Sequence, residues 1–192
     1  TLQVTGTSFQ STPRAITFGA TGGGFDIADA ANVFTVSQPL SGTGSLTKLG
    51  AGTLVLSGAN SYSGGTTISA GTLQGDASSL QGNITDNASL VFNQGTDGSF
   101  AGVVSGTGAL TKLGAGTLTL SGANSYSGGT TISAGTLQGD ASSLQGSIVD
   151  NAALVINQGS DATFNGSISG SGTLLKSGAG TLTLDAANPL TG

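Results

Sequence analysis

Few side chains in this chain of 192 residues could take part in acid–base or nucleophilic chemistry. Histidine, cysteine and glutamate are absent, and the only cations are Arg14, Lys48, Lys112 and Lys176. A serine or threonine nucleophile needs a neighbouring base, and no motif here supplies one. Enzymes that cleave glycans need clustered basic residues or two carboxylates roughly 5–9 Å apart. The inventory therefore predicts a protein that is not an enzyme, with no catalytic residues and no cofactor.

All nine acidic residues are aspartates, and the net charge is −5. Three aspartates recur at a constant interval, as Asp76, Asp86 and Asp97 and again as Asp140, Asp150 and Asp161. A calcium site needs about six to eight converging oxygens, and the Gly-Gly-x-Gly-x-Asp repeat that supplies them is absent. Aspartates that bond their own backbone in turns are the simpler interpretation. The sequence predicts no metal site and, because it lacks a basic stripe, no nucleic-acid partner.

Two tyrosines, Tyr62 and Tyr126, lie in identical Asn-Ser-Tyr-Ser-Gly-Gly segments and are the candidate surface contacts. An exposed tyrosine ring could stack on a sugar or a partner. The other interpretation is a loop anchor, with the ring on the body and the hydroxyl hydrogen-bonded. A threonine array that binds ice or a crystalline surface is not predicted, because the outward positions Val55, Thr119 and Thr183 vary.

A long internal repeat organises the chain, and the equally spaced Lys48, Lys112 and Lys176 mark its phase. Residues 42–105 and 106–169 differ at only 12 positions. A period of this length indicates a repeat architecture. The predicted divisions of this single fragment are degenerate N-terminal coils at 1–41, a first repeat at 42–105, a second at 106–169 and a partial third at 170–192.

Short runs with period-two alternation, separated by Gly, Asn, Asp or Ser, predict an all-β fold. TLVL at 53–56, TLQG at 72–75 and SLVF at 89–92 start 19 and 17 residues apart, which is about one coil of a parallel β-helix. The spacing predicts a solenoid of about nine coils of roughly 20 residues, with a body on the order of 40 Å long. Three coils would make one repeat, so like residues would stack in ladders and the lysines would lie roughly 14 Å apart.

Differences between the two copies indicate which side of each strand is buried. Val55 becomes Thr119, whereas Leu54 and Leu56 remain leucine in the second copy. Successive side chains of a strand point to opposite faces, so polar exchanges should mark the outside. The predicted inward set, each with its counterpart in the second copy, is Leu54, Leu56, Ile68, Leu73, Ile84, Leu90, Phe92, Phe100 and Val104.

The repeated segment resembles the autotransporter-associated β-strand repeat of Gram-negative autotransporter passenger domains. The resemblance covers residues 42–75 and 106–139, and more weakly 170–192, where Ser177 replaces a leucine. In the first copy the matching positions are Gly50-Ala51-Gly52-Thr53-Leu54, Gly58-Ala59-Asn60-Ser61-Tyr62, Gly64-Gly65-Thr66 and Gly71-Thr72-Leu73. The intervening stretches are generic for a β-helix.

The resemblance implies a right-handed parallel β-helix, exported by type V secretion through an outer-membrane β-barrel translocator outside this chain. It implies a place on the bacterial cell surface or in the medium, with a host-cell surface or another copy as partner. The expected role is a stalk, adhesin or self-association segment, and the alternative is a released soluble ligand or toxin that acts on host cells. No methionine begins the chain, so we expect an excised piece of a longer protein.

Overall fold

The computed structural model describes residues 1–192 and contains 25 short β-strands and no helix. The strands pair in parallel and stack coil upon coil, so the prediction of an all-β parallel solenoid of about nine coils is confirmed. Crossover connections between parallel strands are right-handed in nearly all proteins, which is the sense that the resemblance implies. The chain contains no helix long and apolar enough to cross a membrane.

The strands lie on three faces, and the chain visits these faces in turn before it starts the next coil. The first face holds β1 (Leu2–Val4), β4 (Gly23–Ile27), β7 (Leu46–Leu49), β9 (Thr66–Ile68), β11 (Ile84–Asp86), β14 (Val104–Gly106), β17 (Ser125–Tyr126), β22 (Ala162–Phe164) and β25 (Leu182–Leu184). The second holds β2 (Ser11–Thr12), β5 (Val33–Val36), β8 (Thr53–Leu56), β10 (Thr72–Gly75), β12 (Ser89–Asn93), β15 (Ala109–Leu113), β18 (Thr130–Ile132), β20 (Ile148–Asp150) and β23 (Ile168–Ser169). The third holds β3 (Ile16–Phe18), β6 (Leu40–Gly42), β13 (Gly98–Phe100), β16 (Thr117–Leu120), β19 (Thr136–Gly139), β21 (Ala153–Asn157) and β24 (Thr173–Ser177).

Glycine allows the sharp corners between faces. Gly50 follows β7 with φ +72°, a conformation that other residues adopt at a steric cost. A Cβ on Gly50 would stand 2.3 Å from the carbonyl oxygen of Ile27 in the coil below. Stacked coils therefore approach each other at this corner as closely as the backbone allows.

One hydrophobic core of 31 buried residues runs along the solenoid. Every predicted inward residue of the first copy is at most 3% exposed, and so is every counterpart in the second copy. β8 shows the cause, because Leu54 and Leu56 point inward while Thr53 and Val55 are only half-buried. The predicted alternation is confirmed, and burial of each large apolar side chain stabilises the fold by roughly 1.5–3 kcal/mol.

Like residues of successive repeats lie on different faces, so the prediction of three coils per repeat is wrong. Leu46, Leu110 and Leu174 occupy the same position in the three copies of the repeat. Leu46 lies on the first face, Leu110 on the second and Leu174 on the third. The cause is coil length: Leu46 pairs with Thr66, whereas Thr72 pairs with Ser89, so the second of these two coils is the shorter. A repeat therefore fills three coils and one further face. Like side chains do stack in neighbouring coils, as Leu54, Leu73, Leu90 and Leu110 show. Equivalent positions of successive repeats do not stack, and each repeated feature advances by one face, about a third of a turn.

Candidate functional site

Lys48 is fully buried in the first face, although lysines are rarely buried. Its Nζ donates hydrogen bonds to the carbonyl oxygens of Leu49 at 2.7 Å, Gly50 at 2.8 Å and Ala70 at 3.1 Å. Three acceptors match the three N–H donors of an ammonium group. Burial lowers the pKa of Lys48 to about 8, and the carboxylate of Asp26 partly opposes this shift. The side chain thus joins the corners of two successive coils.

Lys112 repeats this arrangement on the second face and is also fully buried. Its Nζ donates to the carbonyl oxygens of Leu113 at 2.9 Å, Gly114 at 2.8 Å and Ala134 at 3.0 Å. Burial lowers the pKa of Lys112. An alternation rule could have located both lysines, because each shares the inward parity of the leucine two residues before it.

Lys176 occupies the same repeat position on the third face but is exposed. Its Nζ donates to a single carbonyl oxygen, that of Gly178, at 2.6 Å. The three lysines therefore lie on three faces, which corrects the prediction that they stack in one column. They form no basic cluster, because two are buried and each points into a different corner.

Asp86 is a buried aspartate at the end of β11, 1% exposed. Its Oδ1 accepts a hydrogen bond from the backbone N–H of Ala88 at 3.0 Å, whereas its buried Oδ2 has no partner. A Cβ on Gly108 would lie 2.3 Å from the carboxyl carbon, so the next coil closes tightly over the group. Burial raises the pKa of Asp86, and the N–H groups of Ala88 and Leu90 partly oppose the shift.

Asp150 reproduces this environment on the second face, with 0% exposure. Its Oδ1 accepts from the N–H of Ala152 at 3.0 Å, and its Oδ2 is also without a partner. Gly172 packs over the carboxyl group, and burial raises the pKa of Asp150. The turn interpretation is correct for the Oδ1 atom of each residue, but the burial of the two aspartates was not predicted. The inward parity of Ile84 and Ile148 in the same strands is the signal that could have found it.

Asp76 and Asp140 confirm the predicted turn chemistry. Asp76 Oδ1 accepts hydrogen bonds from the N–H groups of Ser78 at 2.9 Å and Ser79 at 2.8 Å, and from the Ser78 hydroxyl at 2.7 Å. Asp140 makes the equivalent bonds. Burial raises the pKa of each carboxyl group, but these hydrogen bonds outweigh it, so both pKa values are lowered.

Asp97 and Asp161 bridge successive coils. Asp97 Oδ1 accepts from the N–H of Thr117 and Asp161 Oδ1 from that of Thr181, both at 2.7 Å. The hydrogen bond from the Thr181 backbone N–H is the main cause that lowers the pKa of Asp161. No three carboxylates lie close enough together to hold a metal ion.

The structure places Tyr62 and Tyr126 in the core, each 2% exposed. Their hydroxyls form hydrogen bonds of 2.8 Å with the hydroxyls of Thr66 and Thr130, and the Tyr62 ring packs edge-on against Phe18 at 5.9 Å between centroids. Burial raises the pKa of both tyrosines. The predicted surface contact therefore needs correction, because neither ring is accessible and the geometry is that of the loop anchor.

Asn60 joins three coils from a buried position beside Tyr62. Its Oδ1 accepts from the N–H of Leu40 in the coil below at 2.7 Å, and its Nδ2 donates to the carbonyl oxygen of Ser79 in the coil above at 2.6 Å. Asn124 makes the same two kinds of bond one repeat later. The repeated polar residues are thus largely occupied inside the solenoid.

A column of hydroxyl side chains faces outward on the first face. Backbone pairing places its members directly above one another in consecutive coils, in the order Thr47, Thr67, Thr85, Ser105 and Ser125. Stacked strands lie about 4.8 Å apart, so the column is roughly 19 Å long. Of the five hydroxyls in this column, only that of Ser105 makes a hydrogen bond within the chain, a long one of 3.5 Å to the Ile84 carbonyl oxygen.

The corresponding column of the second repeat lies on the second face and is interrupted. Thr111 and Thr131 continue the pattern there, but Val149 stands where the first repeat has Thr85. This uninterrupted hydroxyl column is therefore confined to the first face. Its register was not predicted, because equivalent positions of the two repeats were expected to share one face.

The family model described as the passenger-associated-transport repeat matches residues 46–74, 110–138 and 174–192. The adhesin BmaC autotransporter of Brucella suis biovar 1 (strain 1330) is 43% identical over 180 residues, which cover 78% of this chain and 5% of that protein. An extracellular serine protease of Serratia marcescens is 41% identical over 71 residues, 37% of this chain and 7% of the protease. No solved structure matches.

The chain thus spans only 5% and 7% of the length of these two curated relatives. The matched repeats coincide with the segments that carry the buried lysine, the bridging asparagine and the anchoring tyrosine. The chain is therefore an autotransporter passenger segment with passenger-associated-transport repeats, of the class displayed on or secreted from the surface of Gram-negative bacteria.

Proposed function

We propose that this segment acts by presenting a rigid surface, as the stalk, adhesin or self-association part of its passenger. The observation that carries the proposal is the division of polar groups between the inside and the outside. The repeated Lys, Asn and Tyr side chains bond within the solenoid, whereas the outward hydroxyl column on the first face is almost free of internal bonds. Such hydroxyls can donate to and accept from an external partner.

The relatives support an adhesive role. One of them is an adhesin by name, and it aligns with most of this chain. An autotransporter passenger also implies a translocator domain elsewhere in its protein, so the segment is one part of a larger secreted assembly. The partner is proposed to be a host-cell surface or a second passenger.

We also propose that the segment is not itself catalytic. The similarity to a serine protease covers 37% of this chain and 7% of the protease, which is a small part of that enzyme. The chain has no histidine or cysteine. The two lysines with a lowered pKa, Lys48 and Lys112, are enclosed by carbonyl oxygens. The serine hydroxyls that contact a carboxylate, those of Ser78 and Ser142, bond to Asp76 and Asp140, and the lowered pKa of each aspartate makes it a weak base.

A bead assay tests the proposal. Beads coated with the 192-residue chain should adhere to cultured host cells, or to each other, more than albumin-coated beads do. Thr47→Lys with Thr67→Lys should weaken this adhesion by placing charges in the hydroxyl column. The matched control is Thr111→Lys with Thr131→Lys, the same repeat positions on the second face. Adhesion equal to albumin, together with a strict monomer by light scattering, would contradict both binding roles, and glycan or peptide hydrolysis would contradict the non-catalytic proposal.

A further inference from the structure

Each repeat carries a buried lysine and a buried aspartate in one inward column. On the first face Lys48 pairs in register with Ile68, and Ile68 with Asp86. On the second face the same order recurs as Lys112, Ile132 and Asp150. The lysine and the aspartate of a column are two coils apart, roughly 10 Å, with an isoleucine between them.

The aspartate of each column is incompletely compensated when it is charged. Asp86 and Asp150 each accept one backbone hydrogen bond through Oδ1, and each keeps an unpartnered Oδ2 inside the protein. Removing a carboxylate oxygen from water without a partner costs free energy, which protonation of the carboxylate reduces. Asp86 on β11 lies between β9 and β14, and Asp150 on β20 lies between β18 and β23. None of these four flanking strands carries a titratable side chain.

The lysine of each column has hydrogen-bond acceptors but no carboxylate partner. Carbonyl oxygens surround the Nζ atoms of Lys48 and Lys112, and the aspartate of the column is too distant for an ion pair. Asp26 on β4 is the charged group that acts on Lys48. The two strands that flank β15 are β12 and β18, and neither carries a titratable side chain.

We propose that these two columns make the solenoid proton-responsive, so that it is least stable near neutral pH and becomes more stable as Asp86 and Asp150 take up protons in mild acid. Near neutral pH each column holds a buried ammonium group and a buried carboxylate that are too far apart to form an ion pair. Acid removes the negative one and alkali removes the positive one. The inference rests on buried geometry and is independent of the proposed function.

The sign follows from proton linkage. The pKa of each buried aspartate is raised above its ordinary 3.8, so the folded chain binds more protons than the unfolded chain. Stability then falls as pH rises through the interval between the unfolded and the folded pKa. The pKa of Lys48 is lowered from 10.5 to about 8, so the unfolded chain binds more protons in that interval and stability rises with pH.

Half-buried and exposed carboxylates act in the opposite direction and set the lower limit of the window. The lowered pKa values of Asp76, Asp140 and Asp161 mean that their stabilisation is lost as pH falls below the ordinary range. The contribution of Asp86 and Asp150 to the free energy of unfolding is therefore measured as a difference between variants, between about pH 4 and pH 7.

The experiment is urea unfolding of the full chain across this pH range, followed by far-ultraviolet circular dichroism. We expect the unfolding constant to change by up to about tenfold per pH unit for each aspartate within its window, with the folded state favoured at the acidic end. Asp86→Asn with Asp150→Asn should remove this slope while keeping the Oδ1 acceptor. The matched control is Asp29→Asn, because Asp29 makes the same bond to the N–H two residues later, at 2.9 Å, from a more exposed site.

A second measurement keeps the test decisive if the double variant fails to fold. Carboxyl-carbon NMR titration of the folded wild-type chain should give midpoints for Asp86 and Asp150 above those of the exposed aspartates. Midpoints at or below the ordinary value would overturn the proposal, as would a pH slope that survives in the folded double variant. In the alkaline range, Lys48→Met with Lys112→Met should abolish the rise in stability above about pH 8, and persistence of that rise would contradict the lysine half of the proposal.

Discussion

The two full repeats have nearly the same sequence and lie on different faces of the same solenoid. Leu54 lies on the second face and Leu118 on the third, yet both are fully buried. Of the 12 differences between the copies, the fully buried ones are Phe92/Ile156 and Val104/Ile168, and both exchange one apolar side chain for another. The comparison teaches that the coils above and below a residue set its environment, whatever face it occupies, as nearest-neighbour stability requires.

The largest effect should come from truncating the core at equivalent positions. Leu54→Ala and Leu118→Ala should each cost about 2–5 kcal/mol, because each leaves a cavity where a fully buried leucine packed. The two losses should agree with each other in a urea titration despite the different faces. A large loss at one position and a small one at the other would show that the faces are not equivalent.

Adding a methyl group to the glycine that covers each buried aspartate should have the next largest effect. Gly108→Ala brings a Cβ to 2.3 Å from the Asp86 carboxyl carbon, and Gly172→Ala repeats this clash at Asp150. We expect each to cost about 1–3 kcal/mol in chemical denaturation. Gly95→Ala is the control, because a Cβ there meets nothing within 4 Å. Equal losses at Gly95 and Gly108 would point to a backbone effect of alanine and not to the clash.

Loss of the buried ammonium group should distinguish the second copy from the third. Lys112→Met leaves three carbonyl oxygens without their donor, so we expect a loss of about 1–2 kcal/mol near neutral pH. Lys176→Met removes an exposed group with one acceptor and should change stability by less than about 0.5 kcal/mol. Thermal unfolding at neutral pH measures both, and equal effects would mean that burial of Lys112 contributes little.

The smallest effect should come from exchanging the outward residues of the two copies. Val55→Thr and Thr119→Val swap side chains that are half-buried on the outer side of β8 and β16. Each should change the free energy of unfolding by less than about 0.5 kcal/mol in a urea titration. A larger change would indicate that the outside of one face is packed against something that the other lacks.

Much of the fold could be predicted because the evidence for it is local. The alternation around Leu54 and Leu56 predicted the core, and the starts of TLVL, TLQG and SLVF predicted coil contacts that the register confirms. The advance by one face could not be predicted, because it depends on the sum of several coil lengths that differ by only a few residues. A small error in each corner is enough to move Leu110 from one face to the next.

The polar interior was missed for a different physical reason. Charged side chains are usually assigned to the surface by residue type, although the parity of the strand already placed Lys48 beside Leu46 and Asp86 beside Ile84. Lys48 needs the Ala70 carbonyl oxygen of the next coil as its third acceptor, beside the local carbonyl oxygens of Leu49 and Gly50. A partner such as Ala70 is distant along the chain, so the alternation pattern was the available signal and residue type was the misleading one.

The advance of one face per repeat gives the number of repeats a meaning beyond length. Recombination between such similar copies can delete or duplicate one whole unit, and the coils on either side of the junction would still find matching neighbours. Everything beyond that junction would nevertheless be turned by a third of a revolution about the long axis. Three units restore the original orientation. Variation in copy number would therefore decide the direction, about the long axis, in which the distal part of the passenger points.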